Sequence, residues 1–370
     1  MRIANILNLG IKELRGLARD PILLVLVAYS FTLSIYTAAT SSPETLNRAA
    51  IAIVDEDHSP VSSRIITALY PPFFVPPKLI TQSEMDARMD TGLDTFALDI
   101  PPNFQRDLLA GKSPTIQLNI DATRAGQAFT GGGYIQSIVS AEVTEFLNRY
   151  RGDAKVPVDL VLRSRFNPEL NKGWFGAITS IISSITMLSI VLTGAALIRE
   201  REHGTIEHLL VMPVTPLEIM ISKIWSMGLV VLVASAVAIV VVVQGLLSIP
   251  IAGSLLLFIL GAALMMFATT SLGIFLATIA GSMPQFGLLL VLILLPLQVL
   301  SGSMTPRESM PEVIQYIMLA APNTHFVMLA QAVLFRGAGL GVVWPQLLAL
   351  LLIGAALFTL ALSRFRQFLR

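Results

Sequence analysis

The sequence predicts an α-helical integral membrane protein: six transmembrane helices, an N-terminal interfacial helix and a small α/β extracytoplasmic domain between helices 1 and 2. Three observations predict it. Hydrophobic residues make up 54% of the chain and charged residues only 13%, where a soluble domain carries about 25% charged residues. Mean hydropathy is +0.73, and apolar runs long enough to cross a bilayer, ~20 residues, recur along the chain. Residues 40–172 break that pattern, being polar, charged and without any such run. The formal net charge of +1 argues against a nucleic-acid partner, which needs a basic surface. The absence of cysteine excludes a disulfide framework and thiolate metal sites.

Residues 1–19 read as a basic amphipathic helix lying in the membrane interface. Ile3, Ile6, Leu7, Ile11, Leu14, Leu17 and Ala18 recur at helical spacing, with Lys12, Arg15 and Arg19 between them. A helix packed on protein is the other reading of the same pattern. Asp20-Pro21 then offers a capping carboxylate and a proline at the first helical position. The run over 20–39 is too long for a cleaved leader, whose apolar core spans only ~7–15 residues, and is predicted to be a retained first span.

Residues 40–172 alternate short strand patterns, at 49–54, 95–100 and 115–120, with helical patterns, including a long one over 125–150. That alternation predicts an inserted α/β domain. Further spans are expected at 173–198, 224–247, 255–280, 286–300 and 342–362. The fifth is bounded by Pro284 and Pro296. Residues 304–340 are broken by Pro306, Pro311, Pro322 and Gly337, and short helices dipping into the outer leaflet are expected there, held against other protein.

Lys and Arg counts in the short loops set the orientation. One side holds Arg2, Lys12, Arg15 and Arg19, then Arg199, Arg201 and Lys223, then Arg364, Arg366 and Arg370; the other holds Arg307 and Arg336. Both termini and residues 199–223 are therefore expected in the cytosol, with the α/β domain outside. No ionisable residue falls in a predicted span core, which weighs against a proton-coupled carrier. A phosphate-binding loop is also missing. Gly111-Lys112-Ser113 resembles the end of one, but Arg106 occupies the first glycine position. His203 and His208 are five residues apart, not the four that place two ligands on one helical face, and no metal site is expected.

Thr179, Ser183, Thr186 and Thr193 share one helical face of the second span. They either line a pathway or serve helix–helix contact, as Ser and Thr commonly do in membranes. The most informative stretch is the polar segment 199–223, where charges stand between two apolar runs and Pro213 and Pro216 punctuate the turn into the next span.

Here the chain resembles a known family. Glu202, Gly204, Thr205, Glu207, Leu209 and Pro213 are similar to the E-x-G-T-x-E-x-L-x-x-x-P coupling segment of type-2 ABC transporter permeases. Ser301, Gly302, Pro306, Pro311 and Pro322 resemble that family's outer-leaflet signature before the last span, although Asn323 follows the proline here instead of preceding it. The resemblance covers essentially the whole chain. It implies a non-catalytic permease subunit of an exporter in the bacterial inner membrane, with drugs or other amphipathic compounds as cargo. A separate ABC ATPase would bind ATP and Mg; this chain would hold no cofactor. A second permease copy or a homologous permease would complete the pore, with a periplasmic adaptor and an outer-membrane channel as optional partners. The resemblance further implies that Glu200, Arg201, Glu202, Gly204, Thr205, Glu207 and His208 couple to the ATPase. Two rivals remain open: a mechanotransmitter that relays ATPase strokes to the outer domain without passing substrate, and an ion-coupled secondary transporter.

Overall fold

The computed structural model describes residues 2–40, 48–121, 125–151, 172–204, 213–305 and 307–368. Two compact units emerge, one made of residues 1–42 and 164–370, the other of 43–163.

The first unit opens with α1 (Ile3–Ala18). Asp20 then caps α2 (Pro21–Phe31), its carboxylate accepting from the Leu23 N–H at 3.2 Å, with Pro21 at the first helical position. A break at Thr32 leads into α3 (Leu33–Thr40). Together α2 and α3 form a 20-residue apolar segment long enough to cross a membrane.

The second unit is a four-stranded sheet of order β2-β1-β3-β4. β1 (Ile51–Asp55), β2 (Lys78–Leu79) and β3 (Phe96–Ile100) run parallel, and β4 (Gln117–Ile120) is antiparallel to β3. Ile51 registers with Phe96, and Phe96 with Ile120. One face carries Ile51, Ile53, Phe96, Leu98 and Ile100, packed against α4 (Pro60–Ala68), α6 (Phe104–Leu109) and α7 (Ala125–Arg151). On the other face Val54 and Ala97 meet Met85 of α5 (Gln82–Asp90). Such a sheet, mostly parallel and covered on both faces, buries alternate strand residues on each side. Arg64 of α4 ties to α7 through Glu142 and Glu145, at 2.9 and 3.0 Å. The proline-rich loop at 71–77 packs inward, with Phe74 buried edge-on to Phe96.

The first unit resumes with α8 (Lys172–Glu202), of which 83% of the most apolar window is buried; it is the central helix. α9 (Pro216–Val237) continues without interruption into a π-helical segment, Ala238–Leu246. α10 (Leu255–Ile279), α11 (Met283–Val299), α12 (Glu312–Met318), α13 (Pro322–Leu334) and α14 (Leu340–Phe368) complete the unit. α10 can lie close against α8 because Gly273 lacks a side chain, and a Cβ there would stand 2.7 Å from the Ile190 carbonyl oxygen. Serines join the first span to α8. Ser34 and Ser180 hydroxyls are 3.2 Å apart, and Ser184 donates to the Ser30 carbonyl. By contrast α14 presents Leu348, Leu351 and Leu352 outward, as a lipid-facing helix does.

Among the described residues, five helices are long and apolar enough to cross a membrane. The expected fifth span is α11, at 17 residues short of that length, with Pro296 inside it. The expected outer-leaflet helices are α12 and α13, which meet at 89° and are either one broken span or a re-entrant pair.

Candidate functional site

The chemistry of segment 199–223 is set by how its two stems are built. α8 does not end at Ile198, where the apolar run stops, but carries its helix through Arg199, Glu200, Arg201 and Glu202. Gly204 closes it in a left-handed conformation, φ +68, with its N–H on the Arg201 carbonyl. That geometry favours glycine at a helix end. The returning stem begins at Thr215, which caps α9 in a reciprocal box with Glu218, and Pro216 takes the first helical position. Thr205, Glu207 and His208 lie outside the described residues.

α1 is clamped across both stems. On the α9 side its Arg2 backbone N–H donates to Glu218 Oε1 and its Asn5 amide donates to the Pro213 carbonyl. The Trp225 indole N–H donates to the Ile6 carbonyl at 3.2 Å. Gly10 makes this fit possible, because a Cβ there would sit 2.1 Å from the Trp225 ring. On the α8 side Lys12 pairs with Glu200 at 2.9 Å. Arg199 reaches back to Asp20, the cap of the first span, at 2.5 Å.

The centre of this clamp is a buried ion cluster. Lys223 Nζ is 2.8 Å from Glu13 Oε1 and 2.7 Å from Glu200 Oε2, and the Lys223 side chain is only 2% exposed. With Lys12 on the outer side of Glu200, two ammonium groups balance two carboxylates. Removing charges from water is costly, and only close pairing with several hydrogen bonds offsets that cost. A cleft of about 310 Å³, lined in part by Lys12, Glu13, Gly16 and His203, adjoins the cluster.

The helix containing the third span starts at Pro216, so Lys223, just before the apolar run 224–247, sits in its second turn as a buried cation. The charged stem also makes contacts within the permease. Glu200 faces Lys223; Arg201 donates to the Ala280 carbonyl and lies over the Phe368 ring; Glu202 accepts from the Met283 N–H at the start of α11, where a helix favours negative charge. The two faces of α1 differ. Ile6, Leu9, Gly10 and Leu17 are buried on protein, whereas Ile3, Leu7 and Ile11 form an exposed apolar stripe. Sequence reasoning misses Glu13 and places Lys223 only as a loop cation that bounds the segment 199–223. The available signal was positional: Glu13 shares the helical face of Leu9, Gly10 and Leu17, an acid on a buried face.

The four pathway candidates do not form one open face. Thr186 and Thr193 are fully buried, while Thr179 and Ser183 are partly exposed. Thr186 donates to Asn323 Oδ1 at 2.6 Å, and Thr193 donates to the Ser189 carbonyl of its own helix. Asn323 in turn donates to the Leu297 carbonyl at 2.7 Å. It thus joins α8, α11 and α13, with its side-chain oxygen and nitrogen both hydrogen-bonded within the protein, as an apolar medium demands. In the outer-leaflet motif, Ser301 is buried and donates to the Gln298 carbonyl, and Gly302 turns at φ +95. Pro311 precedes α12, and Pro322 opens α13. Pro306 lies outside the described residues. His203, exposed, turns its Nδ1 to the Arg199 carbonyl, and no cluster of three metal-ligating side chains occurs among the described residues.

Comparison with known proteins agrees with this architecture. The family model for the ABC-2 family transporter protein matches residues 21–363. The chain is 61% identical over 365 residues to the inner membrane transport permease YhhJ of Escherichia coli (strain K12), covering 99% of this chain and 98% of that protein. It is 28% identical over 362 residues to the probable multidrug ABC transporter permease YbhR of Escherichia coli (strain K12), covering 96% of each. Its identity to the probable multidrug ABC transporter permease YbhS of the same strain is 26% over 345 residues, covering 89% of this chain and 88% of that one. Matched along nearly its whole length, this chain belongs to the ABC-2 family of transporter proteins.

Proposed function

We propose that this permease is the membrane-spanning half of an ATP-driven exporter in the inner membrane, a non-catalytic subunit worked by a separate cytosolic ABC ATPase. The observation that carries this reading is the clamp. Both stems of the polar segment are fastened to α1 and to each other through Lys223, Glu200 and Glu13, so a push on residues 205–212 moves three helices together. Glu200, Arg201 and Glu202 transmit that push from within the permease, while Thr205, Glu207 and His208 make the contact with the ATPase. ATP and Mg are bound there, not here. The excess of Lys and Arg at α1, at 199–223 and at the C-terminus supports a cytosolic face for this end, leaving the α/β unit outside. A second copy or a homologous permease completes the pathway. The names of the YbhR and YbhS relatives support drugs or other amphipathic compounds as cargo.

The test is transport in vesicles that hold the permease with its co-purifying ATPase. ATP-dependent uptake of an amphipathic dye is expected, and Glu207→Lys is expected to abolish it while leaving membrane insertion intact. Wild-type transport by that variant overturns the coupling assignment. ATP-dependent motion of the α/β unit without transport makes the protein a mechanotransmitter, and gradient-driven transport without ATPase makes it a secondary carrier.

A further inference from the structure

On the side of the molecule poor in Lys and Arg, the two short-loop cations that remain, Arg307 and Arg336, line one cavity. Its volume is about 730 Å³, within the range of small-molecule sites. It lies at the start of α8, beside Phe175. The ion cluster lies at Glu200 near the other end of that helix, about 38 Å away at a rise of 1.5 Å per residue. The cavity and the clamp therefore serve opposite membrane surfaces.

No described acidic side chain lines the cavity. Among the described residues Arg307 Nε, sealed from solvent, has no hydrogen-bond partner, and one terminal nitrogen of the same side chain donates to the Met328 sulfur at 3.7 Å. A buried donor left unmade is costly, more so when it is charged. Arg336 is exposed and forms no ion pair with any described residue. Two uncompensated guanidinium groups facing one space form a fork suited to the oxygens of a phosphate or carboxylate. The rest of the wall mixes polar groups, among them Ser303 and Gln331, with an apolar patch of Phe175, Met304, Val327 and Met328. α12, which contributes Gln315 to the lining, also exposes Val313, Tyr316 and Ile317.

We propose that this cavity binds the anionic head group of an amphiphile, Arg307 and Arg336 holding the head while the methionine and phenylalanine wall takes the first carbons of its chain. The proposal is independent of ATP-driven export, since it concerns equilibrium binding by the permease alone.

The full-length permease, purified in the neutral detergent dodecyl maltoside, is titrated with dodecyl phosphate and followed by native mass spectrometry. A saturable adduct is expected, weakened at least tenfold in R307Q/R336Q and largely retained in R307K/R336K. Gln331→Glu, which sets an acid against both arginines without removing either, is expected to weaken binding similarly and guards against misfolding of the double variant. Competition by phosphatidylglycerol assigns the site to bilayer lipid, whereas its failure to compete assigns it to single-chain solutes; the head-group proposal holds in both cases. Absence of a saturable adduct, equal binding of inorganic phosphate alone, or undiminished binding in both R307Q/R336Q and Gln331→Glu overturns it.

Discussion

The ammonium of Lys223 lies 2.7 Å from a carboxylate oxygen of Glu200, and the two side chains are only 2% and 11% exposed. This contact joins the helix entering the polar segment to the helix leaving it. Glu13 completes it from α1, so the three helices nearest the proposed ATPase contact share one electrostatic node.

Removing the cation from that node is expected to be severe. Lys223→Met leaves Glu13 and Glu200 buried with less positive charge between them, a change that costs about 3–5 kcal/mol when one partner of a buried pair is lost. Thermal unfolding in detergent should show a markedly lower transition. Adding Glu200→Gln to Lys223→Met should restore part of the loss, which a double-mutant cycle measures.

Two glycines on the same helix should respond oppositely. Gly10→Ala drives a methyl into the Trp225 ring, whereas the space around Gly16 is empty. Gly10→Ala should therefore loosen α1 and expose it to protease. Gly16→Ala should be neutral, or stabilising by up to about 1 kcal/mol from helix propensity.

Asn323 bridges three helices through Thr186 and Leu297. Asn323→Leu should cost about 1–3 kcal/mol by leaving a buried carbonyl and hydroxyl without one partner each. Asn323→Asp keeps the acceptor but loses the donor to Leu297. It should fall further unless the acid is protonated, which unfolding transitions measured across pH will show.

The α/β unit should weaken in acid. Glu145 is held below its ordinary 4.5 by the Arg64 guanidinium that donates to it, and Asp107 is held below 3.8 chiefly by Lys112. For a carboxylate depressed by folding, the contribution is present above the unfolded value and lost as pH falls through the folded one. The transition temperature should thus drop below about pH 4.5, and Arg64→Gln should flatten that drop.

Much of the helical layout is legible because the membrane imposes simple rules. The runs at 20–39, 173–198, 224–247, 255–280 and 342–362 stand out because a spanning helix must satisfy its own backbone and be apolar for its length. The Asp20-Pro21 helix start is legible because capping chemistry is local. Helix ends are less legible: the apolar runs stop at Ile198 and resume near Ile224, yet α8 runs on to Glu202 and α9 begins at Pro216. Hydropathy treats Lys223 as solvated, whereas its counter-ions come from Glu13 and Glu200, far away in the chain.

The sequence alone determined that this is a membrane protein of several apolar helices in the ABC-2 family, because length, hydropathy and short motifs are local properties. Tertiary structure decided which side chains meet. It turned Glu200 and Lys223 inward onto each other, closed Thr186 onto Asn323, and brought Arg307 and Arg336 to one cavity. The physical reason is that a charge or hydroxyl in an apolar medium takes its character from whatever partner lies within hydrogen-bond reach. That partner is set by packing between distant helices, which no periodicity along the chain encodes.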